Sequence, residues 1–273
     1  MRALNQPVSW WGWHWEPPTP MSICELIAAG NMDERMAAMF WIGMERGASI
    51  IVSAEPPNSG KTTTVSALLS FTPPDTLVYF TRGEGEPFAL PVLDDSYPTY
   101  ILINELSNHI PVYTWDENAR KAFELLSQGY RLASTMHDET VEGVLGQLRN
   151  ELSIPESHLA HLTFVVQMYI GHVYPPIRRC LEVTLVQSDG ADGMTTQTAA
   201  TWDMGADTFE VLRSANGREA FADWAGMTVD ELGAEMERRE GIIHDWMTSG
   251  ATSIPEVNNA IEEFYAEGLT QET

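Results

Sequence analysis

Lysine is nearly missing. Of 273 residues only Lys61 and Lys121 carry that side chain, and Lys plus Arg number 15 against 39 Asp plus Glu. A formal net charge of −24 argues against non-specific nucleic-acid binding, where cationic side chains must replace the counterions of the phosphates. It argues equally against an anionic membrane surface as a default partner. Cysteine is as scarce. Cys24 and Cys180 stand far apart, with no metal-ligand spacing and no disulfide framework, which points to a reducing compartment. No run approaches the ~18 apolar residues of a membrane span, and the N-terminus lacks the apolar core of a secretory signal. The expectation is a cytoplasmic chain with no nucleic-acid partner and no membrane span.

What is present suffices for a full core. The chain is 44% apolar, and its length fits one large domain or two ordinary ones. It opens on a Trp- and Pro-rich arm, "WWGWHW" (10–15) followed by "EPPTP", whose rings are expected to pack on the body or to dock a partner. Helix signals follow: a capping box at Ser22 and Glu25, a second at Asn31 and Glu34, and an apolar stripe through Met36, Met39, Phe40 and Ile42. Buried-type strands are read at 49–54, 76–80, 100–104 and 131–136, with helices between them, one capped at Thr114 and Glu117. This alternation predicts a mainly parallel sheet with helices on both faces. Runs 162–170, 178–186, 198–204 and 209–213 lack intervening helices and predict an antiparallel extension, with a hairpin turn at "DGADG" (189–193). From about 217 the pattern is helical, with a capping box at Thr228 and Glu231 and a stripe of Val229, Leu232, Met236, Ile243 and Trp246. Gly250 ends that helix, and Ser253 and Glu256 open a last one with Val257, Ile261 and Phe264 inward.

One stretch carries chemistry. "AEPPNSGKTTT" (54–64) follows an apolar strand and opens a helix, the context of a phosphate-binding loop. Such a loop needs closely approaching N–H groups, a lysine for the phosphates and a hydroxyl for Mg²⁺. Asn58, Ser59, Gly60, Lys61, Thr62 and Thr63 are the candidate nucleotide-binding residues. Glu55 stands where such a loop opens with glycine, and Pro56 and Pro57 remove two N–H groups. Glu105, at the end of an apolar strand, is placed to serve Mg²⁺ together with Thr62, or to orient an attacking water. His137 ends the next strand, where it can sense a γ-phosphate.

The ordered series "SGKTTT", "YILINELSN", "ASTMHDETVEGVLGQL" and "FVVQM…RRCLEVTLV" resembles the type II/type IV secretion ATPase family, the RecA-like motors of secretion systems, type IV pili and archaeal flagella. The segment "FADWAGMTVDELGAEMERREGIIHDWM" is similar to the C-terminal helices of its archaeal-type members, and the likeness spans about 22–267. The resemblance implies an α/β fold: a RecA-like P-loop NTPase core with mainly parallel sheet (22–215), an antiparallel strand extension, and a small C-terminal helical bundle (216–273) after an N-terminal arm (1–21). It implies ATP and Mg²⁺ as cofactors, Glu105 and His137 as catalytic residues, and a hexameric ring or co-assembly with a related ATPase. A membrane platform protein would be the partner, with the chain peripheral to the inner face of the membrane. The sequence departs from the family at Glu55 and Asn58, at Arg82 within "FTRGEGE", and at Ser107-Asn108 in place of Arg-Asp, and the family's large N-terminal domain is expected to be largely absent. Two functions stay open: a motor ATPase that powers assembly or export, and a non-catalytic paralogue that scaffolds or regulates a complete motor.

Overall fold

The computed structural model describes residues 1–8, 20–94 and 98–271. The Trp-rich run at 10–15 lies outside the described residues. In chain order the elements are β1 (Arg2–Ala3), α1 (Ile23–Ala28), α2 (Glu34–Glu45), β2 (Ile50–Ser53), α3 (Lys61–Leu69), β3 (Leu77–Phe80), β4 (Thr99–Leu106), α4 (Asp116–Ser127), β5 (Arg131–Met136) and α5 (Val141–Gly146). A π turn (Gln147–Glu151), α6 (Glu156–Leu159), β6 (Phe164–Ile170), β7 (Arg178–Ser188), β8 (Met194–Asp203), β9 (Thr208–Val211), α7 (Ala215–Ala225), α8 (Val229–Ser249) and α9 (Ile254–Gln271) complete it.

All nine strands join one sheet in the order β1-β3-β4-β5-β2-β6-β7-β8-β9. The pairs from β1 to β6 are parallel and those from β6 to β9 antiparallel. This is the α/β class expected, with mostly parallel strands, an antiparallel extension and C-terminal helices. One boundary moves: residues 162–170 were grouped with the extension, yet β6 pairs parallel with β2. The crossover from β5 that a parallel placement requires runs through α5, the π turn and α6.

Parallel strands covered on both faces are apolar throughout, and here both faces are filled. Side chains alternate, so Ile50 and Val52 of β2 enter one core while Ile51 enters the other. α4, α5 and α6 cover the second face. α1, α2, α3 and the C-terminal helices share the first. Its centre is Trp41, which stacks on Phe71 at 5.0 Å and meets Phe264 at 4.6 Å and Trp246 at 5.2 Å between ring centroids.

Several local expectations need correction. α2 is capped by Asp33, whose carboxylate accepts from Met36 N at 2.8 Å, rather than by Asn31. Asn31 is buried, and its amide oxygen faces the Cys180 thiol. Thr114 does not cap α4: Trp115 occupies that position, while the Thr114 hydroxyl meets that of Thr81 at 3.0 Å. On α8 Val229 is exposed. A residue with no apolar signal is buried instead. Arg239 is 3% exposed at its side chain, pairs with Glu45 and Glu235, and lies over Trp41 and Phe264. Capping boxes at Ser22/Glu25 and Thr228/Glu231, and the left-handed Gly250 end, are as expected.

Replacing Arg239 by Ala strips Glu45 and Glu235 of their shared partner and opens a gap beside Trp41. Removing one member of a buried pair costs about 3 kcal/mol or more, at the low end here because both carboxylates keep contact with water. Urea unfolding should show that loss, whereas Arg238→Ala, an exposed pair on the same helix, should cost under about 1 kcal/mol.

Candidate functional site

The carboxyl ends of β2, β4, β5 and β6 lie along one edge of the sheet, where open α/β sheets hold ligands. The register sets the level. Ser53 pairs with Met136 on one side and with Gln167 on the other. The loop that leaves Ser53, the turn that begins at His137 and the Gln167 side chain therefore meet. Ser53 Oγ donates to Gln167 Oε1 at 3.0 Å, and Gln167 Nε2 donates to Asp138 O at 2.9 Å. Gln147 Nε2 donates to His137 O at 3.1 Å and to Asp138 Oδ2 at 2.7 Å.

Residues 54–60 form the loop and Lys61 opens α3. Asn58 (φ 60°) and Gly60 (φ 98°) are left-handed. Asn is among the few residues that adopt this region readily, so Asn58 stands in for glycine conformationally. Gly60 is held to glycine more firmly, because a Cβ there would lie 3.3 Å from Arg178 Cδ as well as on an unfavourable φ. The first-turn N–H groups of α3 have no intrahelical acceptors and so suit an anion. Ser59 Oγ is buried with no partner. Thr62 and Thr63 are half-buried in that first turn.

Lys61 is buried, and its Nζ donates to Ala54 O at 3.1 Å. Burial pushes its pKa below the ordinary lysine value, while Glu105 and Glu55 pull the other way. A desolvated ammonium is stabilised by any anion brought to it, which is the chemistry a phosphate would supply here. The Glu55 side chain is exposed rather than folded into the loop. Its backbone does the structural work, because Glu55 O lies 2.9 Å from His137 Nδ1.

Glu105 owes its position to an irregularity. The β4–β5 register shifts between Ile103 and Leu106, so three steps on β4 face two on β5. Such a bulge re-aims side chains next to functional sites. Glu105 is buried, with Ser107 Oγ donating to Oε1 at 2.8 Å, His109 Nδ1 3.7 Å from the same oxygen, and His137 Nε2 3.3 Å from Oε2. A carbonyl can only accept, so His137 Nδ1 carries a proton toward Glu55. Ser107, a departure from the family pattern, thus supports the acid beside it.

The structure therefore gathers Asn58, Ser59, Gly60, Lys61, Thr62, Thr63, Glu105 and His137 at one edge. It adds residues that sequence reading passed over. Gln167 was signalled only as the lone polar residue in "FVVQMYI". Arg178 opens β7 and reaches over the loop, its Nε donating to Asn58 O at 2.8 Å. Glu86, in the "FTRGEGE" stretch, accepts from the Tyr79 hydroxyl and from Arg82 and Phe88 N, tying its own loop. Among the described residues no group of three or more His, Cys, Asp or Glu could hold a metal.

Together the strand order and the pairing define an α/β fold with a mostly parallel sheet, an antiparallel extension and C-terminal helices. No protein-family model matches the chain. It is similar to two uncharacterized proteins of Methanocaldococcus jannaschii, MJ0900 and MJ1287. The first is 24% identical over 92% of this chain and 50% of its own length, the second 24% identical over 79% and 87%. The chain thus spans half the length of the first. Among solved structures it is similar to the VirB11 ATPase of the Brucella suis type IV secretion system, in complex with sulphate (TM-score 0.40, 16% identity, 58% of this chain and 53% of that one). It is also similar to the Legionella pneumophila ATPase DotB (TM-score 0.37, 12% identity, 93% and 66%). Among the described residues no helix is long and apolar enough to cross a membrane.

His137→Ala removes the ring that joins Glu55 O to Glu105. Losing a hydrogen bond of about 1 kcal/mol should speed amide exchange across 55–60 about fivefold, measured by hydrogen–deuterium exchange. Unchanged exchange would show that the ring does not hold the loop.

Proposed function

We propose that the chain is a Mg·ATP-binding subunit of a secretion-type motor, hydrolysing ATP to power assembly or export. The observation that carries this reading is the convergence of a buried, carboxylate-coupled Lys61, a bulge-positioned Glu105 and His137 at one edge of the sheet. The residues present fit a phosphate chain: left-handed loop backbone, first-turn N–H groups, the unpartnered Ser59 hydroxyl and a desolvated ammonium.

Asn58 to Thr63 bind phosphate oxygens, with Lys61 as the principal charge. Arg178, fixed to the loop carbonyl at Asn58, keeps guanidinium N–H groups for the same anion. Thr62 and Glu105 would hold Mg²⁺, which would supply charge neutralisation on the phosphates. Glu105 orients the attacking water and accepts its proton, and His137 senses the γ-phosphate. The secretion assignment rests on the ordered motif series in the sequence. A ring of like subunits, or co-assembly with a complete ATPase on a membrane platform protein at the cytoplasmic face, belongs to the same proposal, as does the division of the chain at about 215.

A second reading is favoured by one observation. Both oxygens of Glu105 already face side-chain partners, Ser107 on one and His137 on the other, and Glu55 places a negative charge near the loop mouth. A subunit that binds nucleotide without turning it over would scaffold or regulate a complete motor.

Lys61→Ala should weaken Mg·ATP binding and abolish turnover. Glu105→Gln should keep binding and lower kcat by at least about 100-fold, the range of a lost general base. A coupled ATPase assay with parallel calorimetry reads both. Turnover untouched by either change would overturn the motor reading, and tight binding without turnover in the unmodified chain would establish the second.

A further inference from the structure

At the opposite end of the sheet lies a cavity of about 590 Å³, within the ~300–1,000 Å³ usual for small-molecule sites. It sits at the amino ends of β5, β2 and β6 and the carboxyl end of β7, walled by α6 and α7. Arg46, Arg131 and His161 line it, with Trp224 on one wall and Asp223 beside it.

Thr163 in its lining is already hydrogen-bonded, its Oγ1 accepting from Ser49 N. The guanidinium groups are not so occupied. Arg35, Arg149, Arg179, Arg213, Arg238 and Arg239 each hold a carboxylate. Arg46 and Arg131 hold none within 4 Å among the described residues, in a chain of net charge −24. Arg131 is built into place: Gly47 (φ 78°) leaves room for it, since a Cβ there would meet Arg131 Nε at 2.5 Å. Burial first, then His158 and Arg131, push His161 below the ordinary histidine value. Trp224 is half-buried and stacks on Phe221 at 5.7 Å and 9°.

We propose that this cavity is a second binding site, for a phosphate-bearing small molecule, with Arg131 and Arg46 as the anion-holding groups and Trp224 as an apolar wall. Two guanidinium groups match the charge and oxygen geometry of a phosphate dianion. The volume exceeds one phosphate, and the Trp224 wall gives an organic ester something to bury. The site is independent of the nucleotide loop, which lies at the other edge of the sheet.

The test uses the full chain carrying Lys61→Ala, so that the loop contributes least, and isothermal titration at constant ionic strength with inorganic phosphate and with phenyl phosphate. Saturable binding is expected, at least tenfold weaker in Arg131→Gln and in Arg46→Gln and unchanged in Arg238→Gln. Arg131→Lys should recover part of it. Arg46 is exposed, so its variant tests the site even if Arg131→Gln unfolds. Tighter binding of phenyl phosphate, reduced to the level of inorganic phosphate by Trp224→Ala, identifies an ester as the ligand; equal affinity identifies free phosphate. Absence of saturable binding, or binding indifferent to both arginines, overturns the proposal.

Discussion

The pairing of β2 with β5 on one side and β6 on the other is the constraint from which the candidate site follows. Three adjacent parallel strands in fixed register bring Ser53, Met136 and Gln167 to one level. A one-residue slip would reverse every side chain between the two cores, and Ile50, Ile51 and Val52, all fully buried, leave no alternative. Hydrophobic burial thus sets the position of polar groups that contribute nothing to it. β4 joins the same edge one strand further away, and its bulge turns Glu105 toward His137 rather than along the strand.

Most of the elements were legible because they obey one period at a time. The strands at 131–136 and 178–186 are continuous apolar or alternating runs, and capping boxes mark α1 and α8 directly. The misreadings have physical causes. Asn31 and Asp33 are both competent caps, and the choice between them was made by burial of Asn31 against Cys180, a contact 149 residues away in the chain. β6 pairs parallel with β2 on one side and antiparallel with β7 on the other, so the strand that closes the parallel set also opens the extension.

The loop, Glu105 and His137 were legible as a set because each ends or follows a strand. What stayed hidden were long-range roles: Arg178 lying over the loop, Gln167 and Gln147 bracing the His137 turn, and Arg239 buried among aromatics. Apart from Gln167, a lone polar residue in an apolar strand, these have no local signature, since each depends on which strand or helix lies opposite. Glu55 read as an obstacle from sequence because only its side chain is visible there. In the fold its carbonyl anchors His137 while the carboxylate faces solvent.

The core around Trp41 also orders events during synthesis. Trp41 lies ahead of the loop strand, yet its cover comes from Trp246 and Phe264, and the Tyr265 hydroxyl closes on Phe71 O, 194 residues away. Residues near the front of the chain must therefore wait for the last helix to leave the ribosome. At about 5–20 residues per second, that interval is long compared with the collapse of the strands. Throughout it the face of Trp41 that Trp246 and Phe264 later cover stands open to whatever chaperone is at hand.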